Sequence, residues 1–257
     1  MAQEGRKLDR NGVKIHYEVH GSGPTILLSH GYSSTSRMWD GQIAALKDRY
    51  QVVVWDMRGH GESDYPKDPG AYSEGLTVGD MRALLDQVGA DQAIVAGLSL
   101  GGYMSLAFHA SHPGRVRALM LFDTGPGFKK DDAREAWNAR ARRRADDLDA
   151  RGLAALGPSD EVRQSRHRDA TGLAGAARGM LAQRDDAVIR SLEAIRVPTL
   201  VLVGANDTNF LAATNYMAAK ISGATKVVLP DAGHAANLHQ PTAFNRAMNT
   251  FLAGLAR

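Results

Sequence analysis

The 257-residue sequence contains no cysteine. That excludes disulfides, thiolate metal sites and a cysteine nucleophile, and it leaves the redox compartment open. No window approaches the roughly 20 consecutive apolar residues that a membrane span needs. The N-terminal stretch MAQEGRKLDRNGVKIHYEVHG is polar and lacks the apolar centre of a secretory signal. Together these absences predict a soluble, cytoplasmic protein. Aromatics are scarce, at 6%, and nearly missing from the arginine-rich stretch between Arg134 and Arg190, the main source of the net charge of +3. Asp, Glu and Ala interleave there, as in ARRRADDLDARG. With few rings to stack bases on, the stretch reads as a solvated helical face, not a nucleic-acid surface. The histidines show no H-E-x-x-H or comparable spacing, so no metal or other cofactor is expected.

What is present is a β/α rhythm. VKIHYEV alternates and predicts an early half-exposed strand. TILLSH, QVVVWD, QAIVAG, VRALMLFD, PTLVLVG and TKVVLP are near-continuous apolar runs, as expected of strands buried on both faces of a mostly parallel sheet. Helical stretches lie between most of them: Met38 to Asp48, Thr77 to Val88, Gly101 to His112, Phe210 to Ile221 and Pro241 to Leu255. This order predicts an α/β fold with helices on both faces of the sheet. From Pro126 to Arg190 no strand pattern appears. A structureless loop that long is unusual in a compact domain. The expected organisation is therefore a core of residues 1–125 and 191–257, with 126–190 as a helical cap insertion.

The run VAGLSLGGY breaks an apolar strand with glycines at fixed spacing. Gly97, Ser99 and Gly101 match G-x-S-x-G. A strand that turns directly into a helix strains the residue at its apex and crowds the residues two before and two after, which must be small. The apex side chain then projects past the sheet edge, and the helix N-terminus favours an anion there. A bland small-residue turn would satisfy the pattern alone; the strand before and the helix after favour Ser99 as a nucleophile. A serine hydroxyl needs a base. His234, after the last strand run, is the favoured candidate, with His239 as the rival. An orienting carboxylate comes from Asp207, after PTLVLVG, with Asp123, at the end of VRALMLFD, as the alternative acid. The glycine of HGYSS permits close backbone approach, which makes the N–H groups of Tyr32 and Leu100 candidate oxyanion donors. Tyr103, Phe128 and Trp137 are candidate substrate-pocket residues, against a blander reading as packing.

The elbow GLSLGG, the HGYSS loop, WDMRGHGESD, GAND and AGH, in that order, resemble the α/β-hydrolase superfamily from about Leu8 to Leu255. The likeness is strongest to small cap-bearing esterases and lactonases, including enol-lactone hydrolases and non-haem haloperoxidase-like esterases. It implies the catalytic order Ser99, Asp207, His234, with Arg58 and His60 structural. Epoxide hydrolases and haloalkane dehalogenases of this fold use aspartate at the apex, and Ser99 argues against both. The expected activity is hydrolysis of a small-molecule ester or lactone through an acyl-enzyme. The alternatives are carbon–carbon bond hydrolysis, cofactor-free haloperoxidase or perhydrolase chemistry, and a small-molecule receptor that retains the fold. The expected partner is a small-molecule substrate, with neither nucleic acid nor membrane; a homo-oligomer is compatible with the sequence.

Overall fold

The computed structural model describes residues 5–255. Its strands are β1 (Arg6–Arg10), β2 (Val13–His20), β3 (Thr25–Ser29), β4 (Gln51–Trp55), β5 (Ala93–Leu98), β6 (Val116–Phe122), β7 (Thr199–Gly204) and β8 (Thr225–Leu229). They form one eight-stranded sheet in the order β1-β2-β4-β3-β5-β6-β7-β8. The β1–β2 and β2–β4 pairs are antiparallel and all others parallel. β1 is a polar edge strand that no apolar run announces. Its signal is Asn11-Gly12, both at positive φ, closing a two-residue hairpin.

The helices are α1 (Asp40–Leu46), α2 (Glu74–Gln87), α3 (Leu100–Ser111), α4 (Asp131–Arg151), α5 (Asp160–Gln164), α6 (Thr171–Ala176), α7 (Ala187–Ser191), α8 (Leu211–Lys220), α9 (Ala236–His239) and α10 (Pro241–Gly254). Strand alternation sorts the core into two layers. Leu27, Val53, Val95, Leu119 and Val201 face α2, α3 and Met217 of α8. Ile26, Leu28, Val52, Val54, Ile94, Met120 and Leu202 face Leu46 of α1 and Phe244, Met248 and Leu252 of α10. Each such side chain contributes roughly 1.5–3 kcal/mol on full burial. α2 starts on Ser73, whose hydroxyl accepts the Leu76 N–H.

One strand expectation is corrected. TKVVLP forms β8, but at the sheet edge and largely exposed; Val228 is 42% accessible. An apolar run cannot by itself distinguish a central strand from an edge one.

Between β6 and β7 the chain is helical, comprising α4 to α7 with a π-helical turn at Ala177–Leu181. Ala145 and Leu148 of α4 pack with Leu173, Ala174 and Ala177 as a separate cluster that also touches Tyr32. Many of the arginines here pair locally, for example Arg178 with Asp146 and Asp149, and Arg190 with Asp186. Among the described residues no helix is long and apolar enough to cross a membrane.

Candidate active site

β5 turns into α3 at Ser99, whose φ of 54° and ψ of −116° lie outside ordinary serine geometry. Such a conformation costs on the order of 1–3 kcal/mol and persists only where neighbours impose it. Here they do. The Ser99 N–H donates to Phe122 O at 2.9 Å, and the Thr124 hydroxyl donates to Ser99 O at 2.6 Å. A Cβ on Gly97 would lie 2.2 Å from the carbonyl carbon of Gly101, and one on Gly101 would lie 2.1 Å from Ser29 O. Both contacts are with backbone, so neither position tolerates a side chain.

The parallel register gathers the other candidates at this edge. Ser29 pairs with Gly97, so the loop after β3 runs beside the elbow. Leu98 pairs with Phe122, so Asp123 follows β6 next to Ser99. Gly204 pairs with Leu229, which brings the turns bearing Asp207 and His234 together. Ligand sites of open α/β sheets lie at such carboxyl ends.

Asp207 is held by a turn, its N–H donating to Gly204 O at 3.0 Å. Its buried carboxylate Oδ2 lies 2.7 Å from His234 Nδ1. This contact assigns the proton to Nδ1 and leaves Nε2 as the basic nitrogen. Burial opposes charge on His234, but the hydrogen bond and charge of Asp207, backed by Glu161, outweigh it and hold the imidazole above the ordinary histidine range. Phe210 stacks on the ring at 5.1 Å between centroids and 22° between planes. Nε2 has no protein partner among the described residues; contacts between nucleophile and base are often long before substrate binds.

The loop after β3 is fixed by His30. Its Nε2 accepts the Met57 N–H at 2.9 Å and its Nδ1 lies 2.7 Å from Gly31 O. Burial drives its pKa down to about 4, so the ring is neutral. A Cβ on Gly31 would sit 3.5 Å from Ser99 Cβ, so the backbone leading into Tyr32 passes close to Ser99. Leu100 is the first residue of α3, where helix geometry leaves the N–H without an intrahelical acceptor. His60 uses both ring nitrogens on backbone, at Ser33 N and Arg58 O. Arg58 forks onto Asp80, with Nε to Oδ2 at 2.6 Å and Nη2 to Oδ1 at 2.9 Å. Both residues hold the loop after β4.

The remaining candidates make other contacts. His239 accepts the Gly233 N–H and turns its other nitrogen to Asp160 of α5. Asp123 accepts the Gly204 N–H and does not touch the imidazole ring of His234 by a hydrogen bond. The Tyr103 hydroxyl donates to Glu74 at 2.8 Å, tying α3 to α2. Phe128 and Trp137 pack on each other at 6.0 Å, and the Trp137 indole donates to Leu181 O. Two neighbours were not anticipated from sequence. Phe210 is one; its only signal is an aromatic three residues past Asp207. Arg144 is the other, with its guanidinium 5.2 Å from the centre of the Tyr32 ring. Among the described residues no cluster of metal-ligating side chains is placed to hold an ion.

Comparison with known proteins agrees with this architecture. The 3-oxoadipate enol-lactonase 1 of Acinetobacter baylyi is 28% identical over 269 residues, covering 96% of each chain. The enol-lactonase structure from Burkholderia xenovorans is 29% identical with a TM-score of 0.78, covering 96% of this chain and 100% of that one. A thermophilic esterase from Thermogutta terrifontis is 27% identical with a TM-score of 0.83, covering 98% and 99%. The model of the alpha/beta hydrolase family matches residues 26–247. With that match spanning most of its length, the chain belongs to the alpha/beta hydrolase family.

Proposed function

We propose that this hydrolase is a serine enzyme that cleaves a small-molecule carboxylic ester or lactone through an acyl-enzyme. The observation that carries the reading is the pairing of His234 with the buried Asp207 carboxylate at 2.7 Å on the same sheet edge as Ser99 in its strained apex conformation. The similarity to lactonases and an esterase over nearly the whole chain supports the choice of substrate class.

In this mechanism Ser99 Oγ attacks the carbonyl carbon and His234 Nε2 takes the hydroxyl proton. Asp207 keeps the second imidazole proton on Nδ1 and stabilises the imidazolium without taking that proton. The carbonyl oxygen becomes an oxyanion held by the N–H groups of Tyr32 and Leu100, each worth on the order of 3 kcal/mol in the transition state. Collapse expels the alkoxide, which leaves with the proton from His234; in a lactone it stays tethered to the acyl group. Water, deprotonated by His234, attacks the acyl-serine ester and restores Ser99. The helical segment at 126–190 acts as the cap that shapes the substrate pocket. Turnover of p-nitrophenyl acetate or butyrate by wild type and Ser99→Ala tests the reading. Loss of turnover in the variant is expected, and equal rates overturn it.

A further inference from the structure

Asp123 takes no part in these steps, yet it occupies a costly position. It follows β6 at a φ of 45°, left-handed backbone for a non-glycine residue, and its side chain is completely buried. Oδ1 accepts the Gly204 N–H at 2.8 Å. Gly204 ends β7, three residues before Asp207. The Ala236 N–H, two residues after His234, faces the same carboxyl without closing a regular hydrogen bond, and Oδ2 has no hydrogen-bond partner among the described residues. An ionised carboxylate offers about four acceptor sites; here one regular donor serves them in a site without solvent. Burying charge so poorly paired costs far more than burying a neutral acid. The groups that face it are the Asp207 carboxylate, which disfavours a second negative charge, and His234, which favours one. Burial dominates and pushes the Asp123 pKa up to about 8.

We propose that Asp123 is a positioning residue: a neutral carboxyl that ties the turn carrying Asp207 and the loop carrying His234 to the end of β6, beside Ser99. The inference rests on the serine hydrolase reading. Acid and base arrive on different strands, and this side chain reaches toward the backbone of both. A misplacement of about 1 Å in such a constellation can lower the rate by about 10²-fold.

The test compares wild type, Asp123→Asn, Asp123→Ala and Ser99→Ala on p-nitrophenyl butyrate across the pH range. Asn copies the shape of a neutral carboxyl and keeps an oxygen for Gly204. Asp123→Ala is expected to lower kcat about tenfold or more with KM little changed, and Asp123→Asn to recover most of that loss. The acid limb of kcat/KM, set by His234, stays where it is in Asp123→Asn, because no charge has been removed at that pH. Wild type is expected to show an alkaline limb near pH 8, where Asp123 ionises and the new charge disturbs the Asp207–His234 pair; Asp123→Asn is expected to lack it. An acid limb displaced downward in Asp123→Asn means that Asp123 is ionised and overturns the inference. So does an alkaline profile that wild type and Asp123→Asn share, which decides the matter even if Asp123→Ala fails to fold. Activity retained by Ser99→Ala overturns the hydrolase reading and this inference with it; an inactive Ser99→Ala beside a displaced Asp123→Asn limb overturns the inference alone.

Discussion

Replacing Asp207 with Asn removes one charge and almost no volume. The carboxylate Oδ2 lies 2.7 Å from His234 Nδ1, and its side chain is 3% exposed, so water cannot take its place. The amide can turn its NH₂ toward Nδ1, which forces the ring proton onto Nε2 and removes the lone pair that Ser99 needs. The imidazolium also loses its counter-charge. At an effective dielectric of 20 and about 4 Å separation, that interaction is worth roughly 4 kcal/mol, or about 10³-fold in rate. With the tautomer effect added, a loss of about 10³–10⁴-fold in kcat is expected. The pH profile gives an independent readout. Asp207 holds the imidazole above its ordinary range against burial; without it burial prevails over the remaining charge of Glu161, and the acid limb of any residual activity moves to lower pH. Stability carries the same sign. A histidine whose folded pKa is raised contributes stability below its unfolded pKa, and loses it as pH rises through the folded value. Asp207→Asn therefore destabilises more on the acid side of that window than on the alkaline side. Steady-state kinetics on p-nitrophenyl butyrate and melting curves across this range provide the test. A variant within about tenfold of wild type, with its acid limb unmoved, refutes the assignment of Asp207.

Two further substitutions probe the scaffold. Gly101→Ala places a methyl 2.1 Å from Ser29 O and 2.7 Å from His30 O, backbone that cannot step aside; a loss of about 1–3 kcal/mol or more in urea unfolding is expected, and an unchanged midpoint contradicts the elbow geometry. Asp80→Asn leaves the buried guanidinium of Arg58 without its forked partner, which costs about 3–5 kcal/mol and, at roughly 2–4 °C per kcal/mol, lowers Tm by roughly 6–20 °C. A shift of less than about 2 °C shows that the pair is not structural.

The sheet was legible because its central strands are buried on both faces and therefore read as apolar runs. β1 was not, since a polar edge strand buries little; only Asn11-Gly12 marked its hairpin. β8 was legible as a strand but not as an edge, because neighbours along the sheet leave no trace in a single run. The elbow was legible because backbone crowding at Gly97 and Gly101 dictates residue type at fixed spacing. Asp207 and His234 could be placed at strand ends, but the choice between Asp207 and Asp123 could not be argued from spacing, as both follow strands at this edge. The hydrogen bonds separate them: Asp207 meets the imidazole and Asp123 meets backbone. The stacking of Phe210 on His234 and the burial of Asp123 depend on how two loops pack, which no periodicity encodes.

The central claim is that Ser99 is an activated nucleophile. Incubation with a fluorophosphonate followed by intact mass and peptide mapping tests it most directly. The account predicts one adduct per chain, located on Ser99, absent in Ser99→Ala and formed much more slowly in His234→Ala. Equal labelling of Ser99→Ala, or an adduct on another residue, contradicts it.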